Sequence, residues 1–255
     1  MTDSKTPLDW RESIQSGNFE QAEGRIRALE LVGEYHPEML AAVQAMIALL
    51  GAVRSKQFLK ALRQVPNLEP LREFLSPEAL KGAIENLQQT EDKEINQPEE
   101  LTRVLQQALD NPYTRAEALN RIGVLHVRLK DAVQARVHFD QAIQADPKHF
   151  RAITNLGNLA LEAGNNQEAE SLYKRALELN PEYHLAHNNL AVLQRKQKRI
   201  GDSIKSLKKS QRFEQRAISE KAREESRAQP STVKFGVIAF YILIAVVVVF
   251  LFVQR

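Results

Sequence analysis

The side chains able to hold a metal or move a proton are few and scattered. There is no cysteine, which excludes disulfides, thiolate zinc ligands and thiol nucleophiles. Of the six histidines, His184 and His187 stand three apart on one predicted helix, with His149 upstream. They could form a weak imidazole pair, but His187 reads better as a core-facing side chain and His184 as a turn residue. Gly-x-Gly-x-x-Gly, the Walker phosphate loop and His-Glu-x-x-His are all absent, so no dinucleotide, nucleotide or zinc-protease chemistry is signalled. The sequence predicts no catalytic residue, no metal and no cofactor, and it gives no sign of an enzyme or of a small-molecule substrate. Nucleic acid is also disfavoured, because the basic run near the C-terminus holds one aromatic, Phe213.

The elements that would position any site are better marked. Gly123 and Gly157 are 34 residues apart, and the same offset relates Ala135 to Ala169, Phe139 to Tyr173, Ala142 to Ala176 and Pro147 to Pro181. A 34-residue period means stacked pairs of antiparallel helices. Small residues let paired helices approach, and the aromatic rings fill the gaps between pairs. Each Pro ends one helix and starts the next. One pair cannot bury its apolar face alone, so neighbours must stack.

Residues 116–149 and 150–183 resemble the tetratricopeptide repeat family. Leu119, Ile122, Gly123, His126, Ala135, Phe139, Ala142 and Pro147 fill the family's places in the first unit. Ile153, Leu156, Gly157, Ala160, Ala169, Tyr173, Ala176 and Pro181 fill them in the second. A third unit, 184–217, follows the period with Leu190, Ala191, Ser203, Leu207 and Ser210, but Gln215 stands where Pro is expected. The helix is therefore predicted to run on through Phe213, Ile218 and Ala222. The resemblance implies a partner-binding groove lined by the first helix of each pair. Carried over by position, it comprises Glu117, Asn120, Val124, Val127, Arg151, Thr154, Asn158, Leu161, Asn188, Val192 and Arg195, a mixture of amide, apolar and basic groups suited to a protein or peptide client. The family's carboxylate clamp for chaperone C-termini is not expected, since the places of its Lys and Asn in the first unit and its Lys and Arg in the third hold Asn120, Val124, Asn188 and Val192.

Residues 1–111 read as helical, with worn repeats. Gly17-Asn18 followed by Ala22 copies the spacing of Gly164-Asn165 and Ala169, with Trp10 as the anchor of a short preceding helix. Pro37 opens an apolar helix to Val53, read as buried all round and too short for a bilayer. Further helices are expected at Lys56–Val65, at Pro77–Gln89 behind a Ser76 cap, and from Pro98 to Asp110, with Thr90–Gln97 a loop. The start, MTDSKTPLDW, has no apolar core of a secretory signal.

The charge is uneven. Arg195–Lys234 carries 13 Lys or Arg against 5 Asp or Glu, while the whole chain is +3. This run precedes FGVIAFYILIAVVVVFLFV, residues 235–253, 19 residues without a charge. As a helix they span about 28 Å at roughly 1.5 Å per residue, close to the roughly 30 Å hydrocarbon core. The expectation is an all-α protein: a repeat solenoid (112–217) after an N-terminal helical region, a charged helix or linker (218–234), and one C-terminal transmembrane helix lying in the lipid bilayer. The basic flank places the repeats on the cytoplasmic side, with a bacterial inner membrane favoured. The expected role is a membrane-tethered scaffold or adaptor in the assembly of a membrane or envelope complex. The alternatives are an adaptor resembling mitochondrial fission receptors in plan, and a regulatory subunit of a partner enzyme.

Overall fold

Five helix–helix turns are built alike, and they set the architecture. Each carries a residue in the left-handed region: Gly17 (φ 74°), Lys56 (58°), Lys130 (62°), Gly164 (82°) and Lys198 (61°). The next amide always bonds back to the carbonyl five residues earlier: Asn18 to Ser13, Gln57 to Ala52, Asp131 to His126, Asn165 to Ala160 and Arg199 to Gln194, at 2.8–2.9 Å. This is the Schellman closure, which satisfies carbonyls left open at a helix end. Five residues after the turn residue stand Ala22, Ala61, Ala135 and Ala169, all fully buried, and in the last turn Ser203, whose hydroxyl donates to Ala191 O at 2.8 Å. A small side chain there lets the second helix lie close on the first. The Gly17 turn was legible in the sequence; the Lys56 turn was not, because lysine does not announce a left-handed backbone.

The computed structural model describes residues 9–91 and 93–228. All regular elements among them are helical. The helices are α1 (Trp10–Gln15), α2 (Phe19–Glu30), α3 (Pro37–Arg54), α4 (Phe58–Gln64), α5 (Pro77–Gln89), α6 (Pro98–Val104), α7 (Gln106–Asp110), α8 (Arg115–Arg128), α9 (Ala132–Ala145), α10 (Phe150–Glu162), α11 (Asn166–Leu179), α12 (His184–Lys196) and α13 (Ile200–Ala228). A 3-10 stretch, Val65–Leu71, follows α4 and contains Pro66 and Pro70. The chain divides into Met1–Glu214 and Gln215–Arg255. In the second unit the described residues continue α13, and their described side chains are exposed. The apolar run 235–253, expected to span a membrane, lies outside the described residues.

Three expectations for the N-terminal region need revision. Helix α4 starts at Phe58 rather than Lys56, because Lys56 is the turn residue. The helix expected from Pro98 to Asp110 breaks at Leu105: Asn86 Nδ2 donates to Val104 O at 2.8 Å, taking the carbonyl that a continuous helix would offer to Ala108. Helix α3 is not buried all round, since Ala41, Gln44, Ala48 and Gly51 are exposed. Its other side, with Val43, Met46, Leu49 and Val53, enters the largest core. It is long and apolar enough to cross a membrane, but this packing accounts for its apolar face.

In the repeats the glycines are space for rings. A Cβ on Gly123 would lie 2.6 Å from Phe139 Cε1, and one on Gly157 would lie 2.7 Å from Tyr173 Cε1. The rings thus fill gaps within their own pairs as well as against the next: Phe139 also packs with Leu156 and Leu159, and Tyr173 with Leu190 and Leu193. Helix α13 closes the third pair differently. Ser206 Oγ donates to Gln194 Oε1 and Ser210 Oγ to His184 O, each at 2.9 Å. With Gln215 in place of Pro147 and Pro181, the helix continues unbroken to Ala228.

Candidate partner-binding face

Helices α8, α10 and α12, the first of each pair, contact one another in sequence order. Asparagines join them. Asn155 Nδ2 donates to Asn120 Oδ1 at 2.8 Å, and Asn189 Nδ2 donates to Asn158 Oδ1 at 2.7 Å. The Tyr173 hydroxyl also donates to Asn158 Oδ1, at 2.8 Å; burial pushes this phenol up to about 12, so it stays a donor. Sequence reading named Asn120 and Asn158 but missed Asn155 and Asn189, which stand 34 apart and so carried the periodic signal that could have found them.

The N-terminal end of this face is a buried charge cluster. Glu117 is fully buried. Its carboxylate accepts from Arg121 Nε at 3.2 Å and from Arg151 Nη1 at 2.8 Å, and it lies 3.1 Å from His149 Nε2. His149 Nδ1 accepts from the Ala152 amide at 3.1 Å, capping α10. With Nδ1 accepting, the ring proton sits on Nε2 and is donated to Glu117. Burial opposes ionisation of Glu117, but Arg151, His149 and Arg121 together hold it well below the usual carboxylate range.

The groove residues named from the sequence therefore fall into two sets. Glu117, Asn120 and Thr154 are buried, with the Thr154 hydroxyl donating to Phe150 O at 2.8 Å; Arg151 is mostly covered and held by Glu117. The chain's own N-terminal region lies against this end: the Arg121 guanidinium sits 5.1 Å from the Phe58 ring centroid and donates to Leu87 O. Val124, Val127 and Arg195 are exposed, and Asn158, Leu161, Asn188 and Val192 are half-buried. This second set leaves an open strip of apolar, amide and basic groups. Of the histidines, His187 Nε2 lies 2.9 Å from Pro181 O and its ring stacks on Phe213 at 5.5 Å. Among the described residues no group of three His, Cys, Asp or Glu is placed to hold a metal.

A stack of helix hairpins joined in this way defines a helical-repeat protein. Residues 114–182 and 154–217 each match a tetratricopeptide repeat model, so the chain carries tetratricopeptide repeats over 114–217. It is similar to the uncharacterized protein ycf37 of Pyropia yezoensis, with 32% identity over 72 residues, covering 28% of this chain and 40% of that one. It is also similar to the Photosystem I assembly protein Ycf3 of Rippkaea orientalis (strain PCC 8801 / RF-1), with 31% identity over 88 residues, covering 31% of this chain and 51% of that one. The chain thus spans about half or less of the length of these relatives. Two crystal structures of MamA overlap it with TM-scores of 0.37 and 0.40 at 12% and 16% identity, covering 83% and 70% of this chain and 97% and 94% of theirs.

Proposed function

We propose that the protein is a membrane-tethered adaptor that holds a protein client during assembly of a membrane complex, with the repeats on the cytoplasmic side. The observation that carries the reading is the open strip from Val124 to Arg195, next to a sealed charge cluster that keeps its helices in register. Support for the tether comes from the uncharged run 235–253 behind a segment rich in Lys and Arg. Support for an assembly role comes from the partial likeness to a photosystem I assembly protein. Tethering acts through effective concentration: a weak groove contact suffices when client and adaptor share one membrane.

The test is capture of crosslinked proteins from source membranes by the full chain, comparing wild type with Val192→Asp plus Arg195→Glu. Both positions have side chains at the open strip, whereas Asn158 is a poor probe because it holds Tyr173 and Asn189. The variant should lose the client while remaining helical by circular dichroism. Recovery of the same partners by both proteins would overturn the groove assignment. Continued membrane residence after removal of 235–253 would overturn the tether.

A further inference from the structure

Where the turn after α3 meets α8 and α10 there is a cavity of about 270 Å³. Its charged lining is Lys56, Lys93, Arg121, Arg128 and Arg151 against one carboxylate, Glu91. Glu117 lies close by, but its oxygens are occupied by His149, Arg121 and Arg151. The cations are incompletely satisfied. Lys56 Nζ reaches Glu91 only at 4.0 Å. Arg121 spends Nη1 on Leu87 O and Thr90 Oγ1 and Nε on Glu117, leaving Nη2 buried without a hydrogen bond. Arg128 uses Nη2 on Ile95 O at 3.0 Å. Burial, together with the charges of Arg151 and Arg121, pushes the Lys56 ammonium below its ordinary range, against the pull of Glu117 and Glu91. A buried donor without a partner and crowded like charges both favour an incoming anion.

We propose that this cavity anchors an acidic segment of the protein client, with an Asp or Glu carboxylate displacing Glu91 and bridging Lys56 to the Arg121–Arg128 edge of α8. The proposal rests on the adaptor reading above and adds the chemistry of the client. A peptide acid fits better than a nucleic acid, because no aromatic side chain lines the cavity for a base to stack on. Asn120, Val124 and Arg151 belong both to this lining and to the predicted groove, so an extended chain leaving the cavity runs onto the open strip. The family's chaperone clamp is not what this cavity reproduces: the places of its cations hold Asn120, Asn188 and Val192, and the cations here come from the α3–α4 turn, the loop before α6, the middle and end of α8 and the first turn of α10.

The test uses the full chain in detergent and fluorescence anisotropy with a labelled peptide of alternating Glu and Ala, beside its Gln and Ala counterpart. The acidic peptide should bind and the neutral one should not, with affinity falling as salt rises. Lys56→Asn plus Arg128→Gln should weaken binding by about tenfold or more; asparagine tolerates the left-handed backbone at Lys56. Glu91→Gln should tighten binding, a gain that misfolding cannot mimic. Equal binding of both peptides, no effect of the double variant, weaker binding by Glu91→Gln, or preference for a phosphopeptide or an RNA oligonucleotide would each overturn the proposal. Client capture separates the two readings. If Val192→Asp plus Arg195→Glu loses the client while the Lys56 variant keeps it, the anchor is wrong and the adaptor stands. If the Lys56 variant loses the client while Val192→Asp plus Arg195→Glu keeps it, the anchor stands and the groove assignment falls.

Discussion

Arg54 grips Asp146 with both arms of its guanidinium, Nε at 2.6 Å and Nη2 at 3.1 Å from the two carboxylate oxygens. The residues are 92 apart in sequence and both side chains are mostly covered, at 17% and 20% exposure. The contact fastens the end of α3 to the turn after α9, where Lys148 also meets Glu20 at 2.7 Å. A double-mutant cycle with Arg54→Ala and Asp146→Ala should give a coupling of about 1–2 kcal/mol by urea unfolding, since bidentate and part-buried pairs exceed exposed ones. Strict additivity would mean that the pair does not hold the N-terminal helices to the repeats.

Glu117→Gln should destabilise the fold by about 3 kcal/mol, because it leaves Arg121 and Arg151 with an uncompensated share of buried charge. The effect should depend on pH. The folded-state pKa of Glu117 is depressed, so the native protein binds its proton less readily than the unfolded chain. Its contribution is full above the ordinary glutamate range, roughly 4.3, begins to be lost below it, and vanishes as pH falls through the folded value. Unfolding midpoints should therefore fall more steeply with acid in the wild type than in Glu117→Gln. Parallel curves would contradict this.

His126 and His138 stack with centroids 5.2 Å apart. Burial and then the neighbouring His126 lower the His138 pKa, against a hydrogen bond that its ring donates to Gln141. The group favours its neutral form in the folded state, so it contributes stability above roughly pH 6.5, its ordinary value, and this is lost as pH falls from there through the lowered folded value. His138→Gln should flatten the thermal midpoint in this window, which lies well above the Glu117 window. An unchanged profile there would show that the stack does not couple to folding.

Gly157→Ala should cost about 1–3 kcal/mol despite alanine's better helix propensity, because its Cβ would stand 2.7 Å and 3.0 Å from Tyr173 carbons and 3.3 Å from Leu172 Cβ. Combining it with Tyr173→Leu should recover part of the loss. A stabilised single variant would show that the ring shifts without strain.

The repeats were legible because their constraints recur at one spacing: Gly123 and Gly157 each face a ring, and that steric demand is written twice in the sequence. What was not legible is what happens once. Lys56 takes a backbone shape that glycine usually marks. Asn86 interrupts a helix by capturing Val104 O from 18 residues away. Glu117, carried over as a surface residue, is sealed because His149 at the end of its own repeat, Arg151 of the next and Arg121 of its own helix satisfy it. Arg54 and Asp146 meet by tertiary packing, which no local pattern encodes. The cavity beside Lys56 draws residues from five separate places in the chain and so left no motif.

The shared turn has a consequence for how the chain could be rebuilt. Cutting out residues 150–183 would splice His149 to His184, bring Ala186 to the place of Ala152, and still offer Asn120 an amide from Asn189. Leu185, however, would occupy the position of Arg151, and Glu117 would lose its closest cation. As backbone, the hairpins are interchangeable parts; as carriers of buried charge they have a fixed order, and only the present order keeps Glu117 neutralised from both sides.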